Sequence, residues 1–211
     1  MSYVSPTVVA VLIGLTVGAL SATSIIGIVQ LYQTPDSTPS EKTLRTQHYE
    51  AVLASTVSLN DVRNALQSNN SDRYILVDLR EQEFYEAGHI TGAHSIPAYV
   101  NPLDSDIGNE ERILTAFTEL YTENPETPIV VYCDSLLCMT SYRIGAFLGE
   151  RGVPVKRLAG GWLEWDENWH LWNEPNSQRP EGFVTIGPEP GELSFEDAAP
   201  VACRVDDLFG C

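Results

Sequence analysis

The sequence predicts an α/β fold in which helices cover both faces of a parallel sheet. Between residues 56 and 172, short apolar runs that are typical of buried strands alternate with segments of helical periodicity. The clearest pair is the apolar run 129–132, which follows Pro128, and the later segment 141–151, where apolar residues share one helical face. Because strands and helices in regular alternation form crossover units, this order implies parallel strands.

An N-cap and two short apolar runs predict the first elements of this alternation. Ser58 has the position of an N-cap, and the apolar residues of the helix after it are Leu59, Val62 and Leu66. The predicted elements that follow are a strand at 74–78, a short helix at 81–87 and a short strand at 93–97.

The second half of the domain repeats the pattern with longer helices. Its predicted elements are a helix at 110–121, a strand at 129–133, a helix at 141–151 and a strand at 155–158. The turn Gly160-Gly161 then opens a final helix that carries Trp162, Trp165 and Trp169 at helical spacing. We expect these tryptophans to pack in the core and at its rim.

The N-terminal segment is predicted to be a single-pass transmembrane helix. Residues 1–35 contain no charged side chain, and the apolar stretch 8–32 is long enough to cross a bilayer. A cleavable signal peptide is the alternative, but it lacks a basic n-region, and the apolar run continues past the small residues around Ser21. A buried core helix fits less well, because the segment is apolar on every side.

Two further segments flank the predicted domain, 56–172. Residues 36–55 are rich in Ser and Thr and are predicted to be a linker, and residues 173–211 an acidic, solvated tail. Cys203 and Cys211 close a short loop in this tail without an apolar pattern nearby to bury them. We therefore expect them to form a disulfide in an oxidising compartment, which places the domain on the exoplasmic (periplasmic) side.

The net charge of the 211-residue chain, −17, limits its partners. A strongly acidic protein is not expected to bind nucleic acid, nor to dock on an anionic membrane surface through its charge. Contact with a membrane is therefore expected only through the N-terminal helix.

Cys133 is the candidate nucleophile. It follows the buried strand 129–132 and precedes the helix 141–151, which is the position at which open α/β sheets bind ligands. The unpaired N–H groups and positive dipole of a helix N-terminus favour a thiolate. A buried cysteine that only completes the strand is the alternative.

The segments LVDLREQEFYEAGHITGAHSIP, IVVYC and LAGGWLEW occur in this order between residues 56 and 172. Together they resemble the rhodanese-like domain, the sulfurtransferase fold. The resemblance implies a five-stranded parallel sheet wrapped by helices, with the reactive cysteine in the loop after the fourth strand, where Cys133 lies. It also implies that Cys133 takes a sulfane sulfur from a donor as a persulfide and passes it to a thiol or another nucleophile, without a metal or other cofactor.

The residues after Cys133 are expected to bind the sulfur donor. They are Asp134, Ser135, Leu136, Leu137, Cys138, Met139 and Thr140. Arg143, one turn into the next helix, could lean back towards the pocket and join them; a surface arginine on the polar helix face is the default alternative. Main-chain N–H groups of 134–140 would surround the sulfur and stabilise its charge. Unlike most of the family, the loop has no basic residue, so we expect a neutral donor or a protein persulfide rather than thiosulfate. Phosphatase variants of the fold carry an arginine where Met139 stands, which argues against that activity.

Cys138 is a second candidate thiol in the same loop. As a resolving thiol it would attack a persulfide or a sulfenic acid on Cys133 and close a disulfide across the loop. A role as an apolar filler is the alternative, and zinc is not expected because two further ligands would be needed. Two other functions therefore stay open, a non-catalytic binding module and a thiol–disulfide oxidoreductase that uses both cysteines.

Asp78 and Arg80 are predicted to have structural roles, and the resemblance to the rhodanese-like domain implies one for His89. Asp78 and Arg80 are expected to hold the end of their strand and the following turn by hydrogen bonds. His89 and His94 lie in and near the turn before a strand, and metal binding by this pair is not expected.

Overall fold

The computed structural model describes residues 39–68, 71–99, 109–173 and 178–193. The chain divides into two compact units, residues 1–48 and 49–211, and the sheet and the site lie in the second. Within the described ranges, no helix combines the length and the apolar character needed to cross a bilayer. The predicted anchor, 1–35, and the predicted disulfide of Cys203 with Cys211 lie outside these ranges.

The stretch predicted as a linker, 36–55, is helical over most of its length, as α1 (Glu41–Ser55). None of the residues of α1 is buried. A helix of this kind has no apolar face towards a core, and such a face is the sequence pattern from which a helix is predicted. Local contacts favour it instead. The Ser40 hydroxyl accepts a hydrogen bond from the Thr43 N–H (3.1 Å), and Arg45 pairs with Glu41 one turn away.

The rest of the described chain alternates between strands and helices. In chain order the elements are β1 (Thr56–Val57), α2 (Leu59–Gln67), β2 (Ile75–Asp78), α3 (Gln82–Ala87), β3 (His89–Ile90), β4 (His94–Ser95), α4 (Glu110–Glu123), β5 (Ile129–Tyr132), α5 (Thr140–Gly149), β6 (Val155–Leu158), α6 (Trp162–Asp166) and β7 (Val184–Thr185). Single 3-10 turns lie at Ser71–Arg73, Trp169–Leu171 and Glu181–Phe183. Ser58 is the N-cap of α2, as predicted. The two-residue strands β1, β3 and β7 were not predicted.

Five of the strands form one parallel sheet in the order β1-β6-β5-β2-β4, which confirms the predicted fold class. β3 and β7 form a separate antiparallel pair. β5 pairs with β2 along its whole length, with Tyr132 opposite Asp78. The carboxyl ends of these two strands therefore lie side by side, and the residues that follow them meet at one edge of the sheet.

The core has two parts, one on each face of the sheet. Val130 and Tyr132 of β5 belong to the first part and Ile129 and Val131 to the second, because alternate side chains of a strand point to opposite faces. The helical residues of the first part include Leu59, Val62 and Leu66, and those of the second include Ile113, Phe117, Ile144, Phe147 and Leu148. These are apolar faces that the sequence predicts, so helices cover both faces of the sheet.

The final helix with its three tryptophans is shorter than predicted. α6 ends at Asp166, and Trp169 lies in a separate 3-10 turn. Trp165 and Trp169 are nevertheless both buried and pack edge to face, with ring centroids 5.5 Å apart. Their predicted role in core packing is confirmed.

Part of the segment predicted as a solvated tail, 173–211, packs on the domain instead. Phe183 is fully buried, and the indole N–H of Trp165 donates to its carbonyl (3.1 Å). β7 pairs with β3, and the Gly92 N–H donates to the Pro190 carbonyl (2.7 Å). The domain therefore extends to at least residue 193, because an aromatic side chain beyond its predicted end completes the core.

Candidate active site

The candidate active site lies at the carboxyl edge of the sheet, between β5 and α5. Cys133 directly follows β5, and the loop 134–139 leads to Thr140, the first residue of α5. Cys133 is 6% exposed, and Thr140 is buried in the first turn of the helix. Cys133 thus lies directly after the strand, one residue beyond the end of β5, whereas the predicted strand, 129–133, includes it.

A disulfide bond joins Cys133 to Cys138. The Cα atoms of the two residues are 6.3 Å apart, and a turn closed by the Cys138 N–H and the Ser135 carbonyl (3.0 Å) brings them together. The two cysteines that the sequence singles out are therefore bonded, as closure by a resolving thiol requires. In this form Cys133 has no thiol with which to attack a donor.

The exposed surface of the loop is apolar. Leu136, Leu137 and Met139 are 52%, 87% and 57% exposed. Leu163, at the start of α6, is also exposed, and its N–H donates to the Asp134 carbonyl (2.7 Å). A molecule that approaches the disulfide therefore meets uncharged side chains on this side.

Arg143, which could lean back towards the pocket or lie on the polar face of its helix, is exposed on α5, and its side chain makes no polar contact with the described residues of the loop. The arginine that does contact the loop is Arg157 of β6. Its guanidinium donates to the Leu136 carbonyl (3.4 Å) and lies over the ring of Tyr142, 4.5 Å from the centroid. The sequence gives no sign of this contact, since 21 residues separate Arg157 from Leu136.

Backbone hydrogen bonds from the start of α6 support the loop. The Trp162 N–H donates to the Cys133 carbonyl (2.9 Å), next to the bond that Leu163 makes to Asp134. Gly161 lies against the same backbone so closely that a Cβ there would be 2.5 Å from the Cys133 carbonyl oxygen and the Ser135 nitrogen. Only a residue without a side chain fits between the helix and the loop.

Glu164 binds the loop and the glycine turn at once. One oxygen of its carboxylate accepts hydrogen bonds from the Leu136 N–H (2.9 Å) and the Gly161 N–H (2.8 Å). The sequence signal was present in GGWLE, because Glu164 stands three residues after Gly161, the spacing of a capping carboxylate. The bond also corrects the expectation that the amides of 134–140 surround the sulfur, since those of Leu136 and Cys138 donate elsewhere.

Asp134 adds negative charge beside the disulfide. Its carboxylate lies 3.8 Å from the Cys133 sulfur. Partial burial raises the pKa of the Asp134 carboxyl, the positive charge of Arg80 opposes that rise, and the carboxylates of Glu81 and Asp78 add to it. The loop therefore places a carboxylate, and no basic side chain of its own, beside Cys133.

A buried ion pair lies at the neighbouring strand end. The Arg80 guanidinium donates to both carboxylate oxygens of Asp78, at 2.6 to 3.1 Å, and to the Gly88 carbonyl (2.6 Å). It also lies over the ring of Trp162, 4.5 Å from the centroid. The predicted hydrogen-bonding role of Asp78 and Arg80 is thus confirmed, and through Trp162 the pair supports the start of α6.

The two histidines of the predicted turn are placed differently. His89 is buried, its ring stacks on that of Tyr85 (centroids 3.7 Å apart), and its nitrogens face the carbonyls of Tyr85 (2.9 Å) and Pro190 (3.3 Å). His94 is exposed on β4. His89 therefore has a structural role, tying α3 to the returning segment 178–193.

Among the residues that the structure describes, one set of side chains has the donor atoms for a metal ion. Both cysteine sulfurs and a carboxylate oxygen of Asp134 lie within 4.8 Å of one another. Such a set suits a thiophilic cation only after the disulfide is reduced, because thiolates are the ligands. In the bonded form the two sulfurs bind each other.

The family model of the rhodanese-like domain matches residues 58–168, more than half of the chain. Among curated proteins, the chain is 31% identical over 100 residues to the HTH-type transcriptional regulator Rv0324 of Mycobacterium tuberculosis. The match covers 47% of this chain and 38% of that protein, so the chain spans well under two thirds of the length of this relative.

Two solved structures illustrate the similarity. The BH2092 protein of Bacillus halodurans is 24% identical, with a TM-score of 0.45, over 59% of this chain and 80% of that one. A thiosulfate sulfurtransferase of Pseudomonas aeruginosa is 22% identical, with a TM-score of 0.39, over 54% of this chain and 19% of that one.

Proposed function

The chain belongs to the rhodanese-like domain family, and on this premise we propose that it is a sulfurtransferase that carries sulfane sulfur on Cys133. The observation that supports the proposal most is the position of Cys133, directly after β5 at the carboxyl edge of a parallel sheet. Backbone hydrogen bonds from the start of α6 hold the loop that begins at Cys133, and they fix the position of the cysteine.

The proposed reaction has two thiol-exchange steps. The thiolate of reduced Cys133 attacks the outer sulfur of a donor such as an alkyl persulfide, the S–S bond of the donor breaks, and the alkyl thiolate leaves. An acceptor thiolate then attacks the outer sulfur of the Cys133 persulfide, and the Cys133 thiolate is released. Each step forms one S–S bond and breaks another, so no further oxidant is needed.

We propose that the donor is neutral or protein-borne. The loop exposes Leu136, Leu137 and Met139, whereas the carboxylate of Asp134 lies beside the sulfur. Like charges repel strongly where water is partly excluded, so a dianion such as thiosulfate is disfavoured at this site. Apolar surface, in contrast, favours contact with an uncharged donor or with another protein.

Sulfur loading of Cys133 tests the function. The full chain carrying Cys138→Ser, which cannot close the disulfide across the loop, is reduced, freed of reductant, treated with an alkyl persulfide or with thiosulfate and digested for peptide mass spectrometry. We expect Cys133 to gain the mass of one sulfur atom, faster from the alkyl persulfide, and the same chain with Cys133→Ser added to show no loading in that loop. Cys211→Ser, outside the described residues, is the matched control and should leave the loading unchanged when added to the Cys138→Ser chain.

The outcome also separates the other functions. If no donor loads Cys133, the domain is a non-catalytic binding module. A thiol–disulfide oxidoreductase is the second candidate, favoured by the bond between Cys133 and Cys138. It would oxidise a dithiol substrate, or reduce a disulfide substrate, at full rate without taking up sulfur at any position of the loop.

We also propose that residues 1–35 anchor the protein in a membrane as a single helix, with the domain on the exoplasmic side. The absence of charge over this stretch supports the proposal. We expect the full chain to stay in the membrane fraction after an alkaline carbonate wash, and a variant without residues 1–35 to be released. Release of the full chain, or a mature N-terminus near Ser21, would contradict the anchor.

A further inference from the structure

The disulfide between Cys133 and Cys138 occupies the one sulfur atom that the proposed function needs. Both cysteines lie in a single short loop, and their Cα separation of 6.3 Å is within the range that an unstrained backbone allows. Two hydrogen bonds outside the disulfide hold the loop in this shape: the Leu136 N–H donates to the Glu164 carboxylate, and the Cys138 N–H donates to the Ser135 carbonyl. The two sulfurs therefore stay close when the bond is open.

We propose that Cys138 is an internal acceptor that resolves the persulfide of Cys133. The domain then releases sulfide, and the turnover ends with a disulfide bond between Cys133 and Cys138. This inference rests on the proposed sulfurtransferase function and names the fate of the sulfur when no external acceptor intervenes. The activity is thus a reductive release of sulfide, and the reductant is an external thiol or dithiol.

The atoms and electrons of this step balance without an added oxidant. The thiolate of Cys138 attacks the inner sulfur, the Sγ of Cys133, and the bond between Sγ and the outer sulfur breaks. The outer sulfur leaves as hydrosulfide and takes up the proton that Cys138 lost, which yields hydrogen sulfide. The sulfane sulfur is reduced to sulfide while the two thiols are oxidised to the disulfide.

A second reaction returns the loop to its reduced form. An external thiolate attacks one sulfur of the disulfide, a mixed disulfide forms, and a second thiol releases the reduced loop. Cys133 is nearly buried, whereas Cys138 is half-buried and lies between two exposed residues, Leu137 and Met139. The attack is therefore expected at Cys138, which leaves Cys133 as the departing thiolate, ready for the next donor.

Proximity makes the internal route faster than transfer to a dilute acceptor. A well-oriented group on the same loop reacts as if its concentration were on the order of 10⁵ M or more, far above any thiol in solution. The persulfide is thus expected to be short-lived in the wild type and long-lived where Cys138 is missing.

The test follows sulfide and the loop together in a single turnover. Full-length wild type, Cys138→Ser and Cys138→Ala are reduced, desalted and treated with one equivalent of an alkyl persulfide, and sulfide is trapped as its bimane derivative. We expect the wild type to release roughly one sulfide per chain and to end with Cys133 bonded to Cys138. Both variants should keep the sulfur on Cys133 and release sulfide roughly tenfold more slowly or worse.

A second turnover supplies the control for the reductant. The wild type should release more sulfide only after a dithiol is added, whereas the Cys211→Ser control should behave as the wild type does. A stable persulfide in the wild type, or equally fast sulfide release by the Cys138 variants, would contradict the role of Cys138 as an internal acceptor. Either result would leave the proposed sulfurtransferase function of Cys133 intact. If the Cys138 variants fail to load sulfur while their circular dichroism is unchanged, the sulfurtransferase itself is wrong.

Discussion

Replacing Arg80 by alanine is expected to lower the free energy of unfolding by about 3–5 kcal/mol. Asp78 is fully buried, and its carboxylate accepts hydrogen bonds from the Arg80 guanidinium, so the variant leaves an uncompensated charge in the core. The substitution also removes the donor to the Gly88 carbonyl and the cation over Trp162. Chemical denaturation of the purified chain, followed by tryptophan fluorescence, measures the loss.

Two variants make this expectation specific. Arg143→Ala removes an exposed arginine without a described ion pair and should change stability by only about 0.5 kcal/mol or less. The double variant Asp78→Leu with Arg80→Met removes both charges and should recover much of the loss, because a pair of apolar side chains avoids the cost of a buried lone charge. A single-variant loss below about 1 kcal/mol would contradict the role given to the pair.

Gly161→Ala is expected to slow sulfur loading of Cys133 by roughly 100-fold, the cost of moving a reacting group by about 1 Å. The new methyl group would lie 2.5 Å from the Cys133 carbonyl oxygen and the Ser135 nitrogen, a distance that real side chains do not adopt. Both atoms belong to backbone, so the loop or α6 must shift. The shift would also disturb the bonds that Trp162 and Leu163 donate to the loop.

The matched control for this variant is Gly149→Ala. Gly149 lies at the end of α5, and a Cβ there meets no atom within 4 Å, so the rate should stay near that of the wild type. Circular dichroism separates loss of fold from loss of geometry, and alkylation of reduced Cys133 by iodoacetamide reports the loop without reference to sulfur transfer. Equal loading rates in the two glycine variants would show that the contact does not position Cys133.

The charged groups around Cys133 come from two neighbouring strand ends. Asp134 lies beside the sulfur, and Arg80, Glu81 and Asp78 influence the pKa of the Asp134 carboxyl from the neighbouring strand end. The structure brings these groups together because β2 and β5 end side by side. A sequence shows the charges but not that they share one edge.

The elements of the fold could be predicted where the pattern is local. The stripes of α2, α4 and α5 and the runs of β2, β5 and β6 repeat with the period of their own structure, so a few adjacent residues reveal each one. α1 had no such stripe, because nothing buries it, and was missed. The returning segment 178–193 was missed because its contribution is one buried aromatic residue, Phe183, and a two-residue strand.

The same division holds for the candidate site. Cys133 was found because it directly follows an apolar run, and Cys138 because it lies in the same loop. Gly161, Glu164 and Arg157 were not assigned to the site. The first two contact the loop from the start of α6 and Arg157 contacts it from β6, and each lies more than 20 residues from its contact in the loop.

By itself, the sequence determined that this chain has a parallel α/β domain with a cysteine at the end of a central strand, and an uncharged segment before it. Tertiary structure decided where the domain ends, which groups hold the loop, and that Cys133 is bonded to Cys138. The physical reason is that periodicity and turn chemistry act between near neighbours in the chain. Charge, steric fit and bonding between distant segments exist only once the sheet has brought them to one edge.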